Sequence, residues 1–292
     1  MGGFTSHAGA PGKSFRGFLS HHGLVVSGGI LGLIFIGAVF APLLSAYDPY
    51  TQDLANRHIP PVWYERGTWE HFLGTDALGR DYWTRLLYGA RASLFIGFVS
   101  ATIAGLLGVA LGVSAGYFGG RVDAAITFLI NLRLSLPVIL VALAVVALFS
   151  GTFLVIVVLL GCLLWDRYAV VTRTLTKQLK EKEFIASSVA LGSSRTGIIA
   201  KDILPNLANH LIVVWTLEIA HAILLEAALS FLGLGVQPPT PSWGLMVSEG
   251  KDLLFFEGWL IAIPGCALFL LVLSINLVGD GIRDVTAPEN LT

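Results

Sequence analysis

Six long, mostly apolar stretches alternate with polar segments along the chain, at about residues 23–46, 92–117, 124–149, 152–171, 207–232 and 258–279. A helix of about 20 apolar residues crosses a hydrocarbon layer of about 30 Å. Only helices and closed barrels satisfy their backbone polar groups in lipid, and runs this long are helical rather than ten-residue strands. The pattern predicts an all-α polytopic membrane protein with six transmembrane helices in one domain (residues 23–292) behind a polar N-terminal tail (residues 1–22).

Composition agrees. Of 292 residues 55% are hydrophobic and 13% are charged, about half the charged share of an ordinary soluble domain. A net charge of −1 provides no basic field for nucleic acid. Cys162 and Cys266 both fall inside apolar runs, which reads as packing and not as a disulfide framework. The seven histidines form no HExxH pattern and no GxxxxGK[ST] phosphate loop occurs, so no metal site and no ATP chemistry of its own is expected.

Charge sets the expected orientation. Lys13 and Arg16 stand in the tail without an acid, and the polar segment 172–205 holds Arg173, Lys177, Lys180, Lys182, Arg195 and Lys201 against Glu181, Glu183 and Asp202. Segment 47–91 has the reverse bias, with six acids against Arg57, Arg66, Arg80, Arg85 and Arg91. The positive-inside rule places 172–205 and both termini in the cytoplasm and 47–91 outside. Tryptophan and tyrosine crowd the outer segment, which suits the membrane surface. Within it Asp76, Arg80, Asp81 and Arg85 are spaced to pair across turns. Arg133, in the first half of the third span, is read as snorkelling to the inner surface.

Two stretches carry the candidate sites. In 183–195, Phe184, Ile185, Val189 and Leu191 are apolar at helical spacing, while Ala186, Ser187, Ser188 and Ala190 are small enough for another protein to approach closely. Gly192 stops this helix; a solvated helical loop is the alternative reading. In the fifth span, Glu218, His221 and Glu226 share an arc of about 140°, with the two acids about 12 Å apart along the axis. Ionisable groups at that depth face a cavity or a helix partner, so a polar pathway and a structural network both remain open.

Several strings in order resemble the dipeptide, oligopeptide and nickel branch of ABC importer permeases. They are Leu73-Gly74-Thr75-Asp76 with Gly79-Arg80-Asp81, then Gly116-Tyr117-Phe118-Gly119-Gly120, then 222–244 with its Pro238-Pro239-Thr240-Pro241 turn. Segment 183–205 is similar to that family's EAA loop: Gly192, Leu204 and Pro205 match, Ala186, Ser187 and Ser188 stand where Glu-Ala-Ala is usual, and Asp202 takes an isoleucine position. The resemblance implies a type I importer permease fold in a bacterial inner membrane and a cytoplasmic coupling helix with Glu183, Phe184, Ala186, Ser187, Ser188, Ala190, Leu191, Gly192 and Arg195 at the ATPase contact. It further implies a second permease as partner in a heterodimer, two ATPase subunits that hold ATP and magnesium, and an external solute-binding protein. Such a chain is no enzyme and binds no cofactor itself. An ion-gradient-driven transporter using Glu218 and His221 is the competing class.

Overall fold

The computed structural model describes residues 22–149 and 151–286, and among them the chain is helical with no strand. The expected tail, except for His22, and the last six residues lie outside the described residues. The helices are α1 (His22–Val39), α2 (Ala41–Leu44), α3 (Tyr82–Phe118), α4 (Gly120–Ser135), α5 (Val138–Phe149), α6 (Phe153–Leu163), α7 (Trp165–Lys180), α8 (Glu183–Ala190), α9 (Arg195–Ile198), α10 (Leu204–Phe231), α11 (Trp243–Gly250) and α12 (Trp259–Thr286). Four continuous helical stretches are long and apolar enough to cross a membrane: Tyr82–Phe118, Phe153–Lys180, Arg195–Phe231 and Trp259–Asp284.

The two remaining apolar stretches behave differently. Gly23–Val39 is a shorter helix. The stretch read as one span over 124–149 is two helices, α4 and α5, that meet at 86°. Pro137 explains the bend: it has no amide to donate and it drives Leu136 out of the helical region, to φ −101° and ψ 126°. Arg133, just before the bend, does not snorkel. Its Nε donates to the Leu163 carbonyl at 2.7 Å and its guanidinium lies 3.9 Å from Asp166, so it turns into the protein and satisfies groups at the α6–α7 joint. α3 begins ten residues before the apolar run because Asp81 caps it, accepting from the Thr84 amide at 2.8 Å.

α3 is the central strut. Its glycines 105, 108, 112 and 116 form a seam against Tyr168, Ala169, Thr172, Arg173 and Thr176 of α7. A Cβ built on Gly112 would stand 2.0 Å from Thr172 Oγ1 and 2.4 Å from the Ala169 carbonyl, so only glycine permits this approach. Small residues at such seams let membrane helices gain backbone contact where no hydrophobic drive exists between them. Gly112→Ala is expected to force α3 and α7 apart and destabilise the chain by about 1–3 kcal/mol, the cost of overpacking. A fall in the thermal unfolding midpoint in detergent checks it.

The same pair is bolted near the α3–α4 turn. Asp123 of α4 accepts from Arg173, and from Lys177 Nζ at 2.7 Å, while Lys180 donates to the Tyr117 carbonyl at 2.8 Å. α3, α4 and α7 therefore meet as one unit where α7 hands over to α8.

Candidate functional site: an exposed helix, a buried acid and an apolar cavity

α8 projects beyond the end of α7. Ile185 is its anchor, buried among Val113, Tyr117, Ile198, Ile203 and Leu207. Of the four apolar residues read as contact for a partner, Ile185 turns inward, while Phe184, Val189 and Leu191 are exposed, Leu191 to 86%. Glu183, Ala186, Ser187 and Ala190 are also exposed and Ser188 is half-buried. Gly192 ends the helix at φ +79° with open space around its Cα. The Gly192 amide donates to the Val189 carbonyl at 3.0 Å and the Ser193 amide to Ser188 at 3.1 Å. Ser194 then starts the next helix, accepting from the Gly197 amide at 3.1 Å, and Arg195 opens it, exposed. The product is a short, exposed apolar ridge on an internal anchor.

Between α9 and α10 the chain makes a wide π turn, Ile199–Ile203. The Leu204 amide reaches back to the Ile199 carbonyl, and Pro205 behind it cannot make the ordinary bond to Lys201, so the turn widens instead of clashing.

The fifth-span residues divide. Glu218 is fully buried, with Oε1 3.2 Å from Arg167 Nη1 of α7 and Oε2 3.3 Å from His221 Nδ1. Arg167 is 58% exposed and His221 about a third, so a buried carboxylate holds a guanidinium and an imidazole that reach toward the surface. Glu226 is not part of this cluster. Its Oε1 accepts from Ser230 at 2.7 Å and from Ser242 at 2.9 Å, and Ser242 in turn caps α11 through the Leu245 amide at 3.1 Å. Glu226 thus ties α11 to α10 in the interior, and no cavity described here opens onto it. Arg167 was not singled out by sequence; it lies 51 positions from Glu218, beyond the reach of any spacing rule.

Near that cluster lies a cavity of about 800 Å³ between α3 and α10, lined mainly by apolar side chains that include Phe98, Leu106, Tyr168, Leu211 and Trp215. Trp215 stands edge-on to Phe98 at 4.8 Å and donates to Thr102 Oγ1 at 3.2 Å. The volume falls in the range of small-molecule sites, about 300–1,000 Å³.

At the opposite end from α8, the segment preceding α3 is locked by buried charge. Asp76 accepts from Arg80 Nε at 2.7 Å and from Arg85. Glu249 of α11 bridges the same two arginines, at 3.1 Å from Arg80 and 2.7 Å from Arg85. Burial alone would raise the Asp76 carboxyl, but Arg85 and Arg80 outweigh it and hold it below the usual carboxylate range. Asp81 takes no part in this lock; it pairs with His71 at 2.9 Å and caps α3. Glu249 escaped the sequence reading, since 164 residues separate it from Arg85. Among the described residues no three His, Cys, Asp or Glu side chains converge as a metal site would require.

Comparisons place this architecture. The family of binding-protein-dependent transport system inner membrane components matches residues 108–289, and the N-terminal transmembrane domain of oligopeptide transport permease C matches residues 12–61. A dipeptide transport system permease of Haemophilus influenzae is 36% identical over 90% of each chain. A di/tripeptide permease of Pseudomonas aeruginosa is 39% identical over 90% of this chain and 87% of its own. An oligopeptide permease of Bacillus subtilis is 36% identical over 89% of this chain and 83% of its own. An inward-facing structure of the MetNI methionine ABC transporter shares the fold, with a TM-score of 0.56 at 19% identity over 69% of this chain and 96% of that one. The six apolar stretches, the bolted α3–α7 unit and the protruding α8 thus belong to a permease subunit of an ATP-driven importer, and the chain is a member of the family of binding-protein-dependent transport system inner membrane components.

Proposed function

We propose that this multi-pass inner-membrane chain forms half of a translocation path for peptides, the other half contributed by a second, similar permease. Two cytoplasmic ATPase subunits, carrying ATP and magnesium, would seat on α8, and an external solute-binding protein would deliver the cargo at the end held by Asp76, Arg80, Arg85 and Glu249. The peptide assignment rests on what the relatives are named for. The observation that carries the docking role is the exposed ridge Phe184, Val189 and Leu191 standing on the buried Ile185.

The mechanism follows from the mechanics. A push on α8 reaches α10 through Ile185 and the π turn, and reaches α3 through the α7 seam, so closure of the ATPases would move the walls of the α3–α10 cavity together. Alternating access needs two such arrangements whose balance the ATPases shift. Glu218, with Arg167 and His221, provides the polar wall of the path on this reading, and Glu226 positions α11. ATP hydrolysis resides on the partners.

Proteoliposomes containing the permease pair, the ATPases and the binding protein test this directly. Peptide uptake should require ATP; uptake that survives ATP depletion but stops when an ion gradient is collapsed would replace the proposal with a secondary transporter. In the same vesicles Glu218→Gln combined with His221→Ala should slow uptake about ten-fold, equivalent to about 1.4 kcal/mol, while the complex still assembles. Normal uptake would remove these residues from the path.

A further inference from the structure

We propose that Arg91 recognises the α-carboxylate of the transported peptide. This rests on the peptide reading above and adds a residue outside the candidate sites read from the sequence. Arg91, Phe95, Phe98, Thr102 and Leu106 follow one another at steps of four, three, four and four, so they occupy one side of α3. All but the half-buried Thr102 are exposed. The inner three line the 800 Å³ cavity. The stripe therefore runs from a cation, across aromatic rings, into the cavity between α3 and α10.

Arg91 differs from its neighbours in charge pairing. Arg80 and Arg85 each hold two carboxylates, whereas Arg91 has no ion pair among the described residues and its guanidinium lies 5.5 Å over the Tyr88 ring. Stacking of that kind steadies the cation by its face and leaves its N–H edge open. Arg91 also stands about 9 Å farther into the helix than Arg85. Arg91 is exposed and is the last residue of the outer polar segment, so it stands where the apolar run of α3 begins, at the mouth of the stripe.

The open edge of a guanidinium matches a carboxylate with two parallel hydrogen bonds. Every unmodified peptide carries one carboxylate at its C-terminus, whatever its side chains, so a single arginine can serve a broad range of peptides. Arg91 and Phe98 are about 10 Å apart along the axis, the length of about three extended residues. A peptide held at Arg91 by its terminus would lay its side chains on Phe95 and Phe98 and point its amino end toward the cavity.

The test uses the assembled transporter in phosphatidylcholine vesicles, with the tripeptide Ala-Phe-Ala and its C-terminal amide as probes. Binding to the complex without binding protein is measured beside ATP-driven uptake. Arg91→Gln should weaken binding and uptake of the free acid by about ten-fold, the effect of one charge-assisted pair, and should leave the weaker amide unchanged. Arg91→Lys should recover part of the loss. Equal effects on acid and amide, or no effect on either, would overturn the proposal. A loss that appears only when anionic lipid is added would also overturn it, by assigning the guanidinium to lipid phosphate. Wild-type complex that neither binds nor imports the peptide, with ATPases active, would reject the peptide reading itself, and this inference with it.

Discussion

Gly192→Val is expected to cut ATP-driven uptake by about ten-fold or more while the protein stays in the membrane and the ATPases keep hydrolysing. Gly192 holds φ +79° with nothing near the position of a Cβ, so the substitution acts on the backbone alone. A β-branched residue is a severe outlier in the left-handed region, where even an ordinary side chain costs about 1–2 kcal/mol. The chain leaving α8 would rearrange, and with it the angle at which Phe184, Val189 and Leu191 meet a partner. Gly192→Asn, which tolerates that conformation, should retain most of the activity. Uptake and ATP hydrolysis measured side by side in proteoliposomes decide the matter; uptake per ATP equal to wild type would end the docking role for this turn.

Arg85→Leu should have the largest effect on stability. Arg85 is fully buried and its Nη1 is shared by Asp76 and Glu249. Removing it leaves Asp76 buried with one cation fewer, and breaking such a pair costs about 3–5 kcal/mol. Loss of membrane abundance and a lower unfolding midpoint in detergent are the readouts. Glu249→Gln should cost less, because Glu249 is 29% exposed and water takes over part of its task. Acid should weaken the same lock with a defined sign. The native Asp76 carboxyl sits below its unfolded value, so its contribution is complete above about pH 3.9 and is lost as pH falls through the lowered native value. An unfolding midpoint for Arg85→Leu equal to wild type would show that the network is not a structural clamp.

How much could be read in advance depends on the range of each interaction. Hydropathy marked six apolar stretches because lipid imposes a length that a linear count detects, and four of them lie in continuous helices long and apolar enough to cross. Asp76 and Arg80 are four residues apart, and local spacing suffices for such a pair. The small residues and the glycine stop of 183–192 were equally legible. The inward turn of Ile185 was not: that one of four apolar side chains is buried depends on Val113 and Leu207, which approach from other helices. The 86° bend was half visible, since Pro137 marks a break, while the contact of Arg133 with the Leu163 carbonyl beside it lies 30 residues away in sequence.

The fifth span shows the same division. Counting at 100° per residue placed Glu218, His221 and Glu226 on one arc, yet Glu226 went to Ser230 and Ser242 while Glu218 went to Arg167. Helical geometry constrains azimuth, and the neighbouring helix chooses the partner.

What this chain's sequence determined by itself was membrane residence, the series of apolar helices, the stop at Gly192 and the local caps, because each depends on composition or on contacts within one or two turns. The tertiary structure alone decided the glycine seam between α3 and α7, the Arg85–Glu249 lock, the partner of Glu218 and the lack of an ion pair at Arg91 among the described residues. Those depend on which helix faces come together, and a buried charge or a missing Cβ acquires its meaning only when the opposing surface is present.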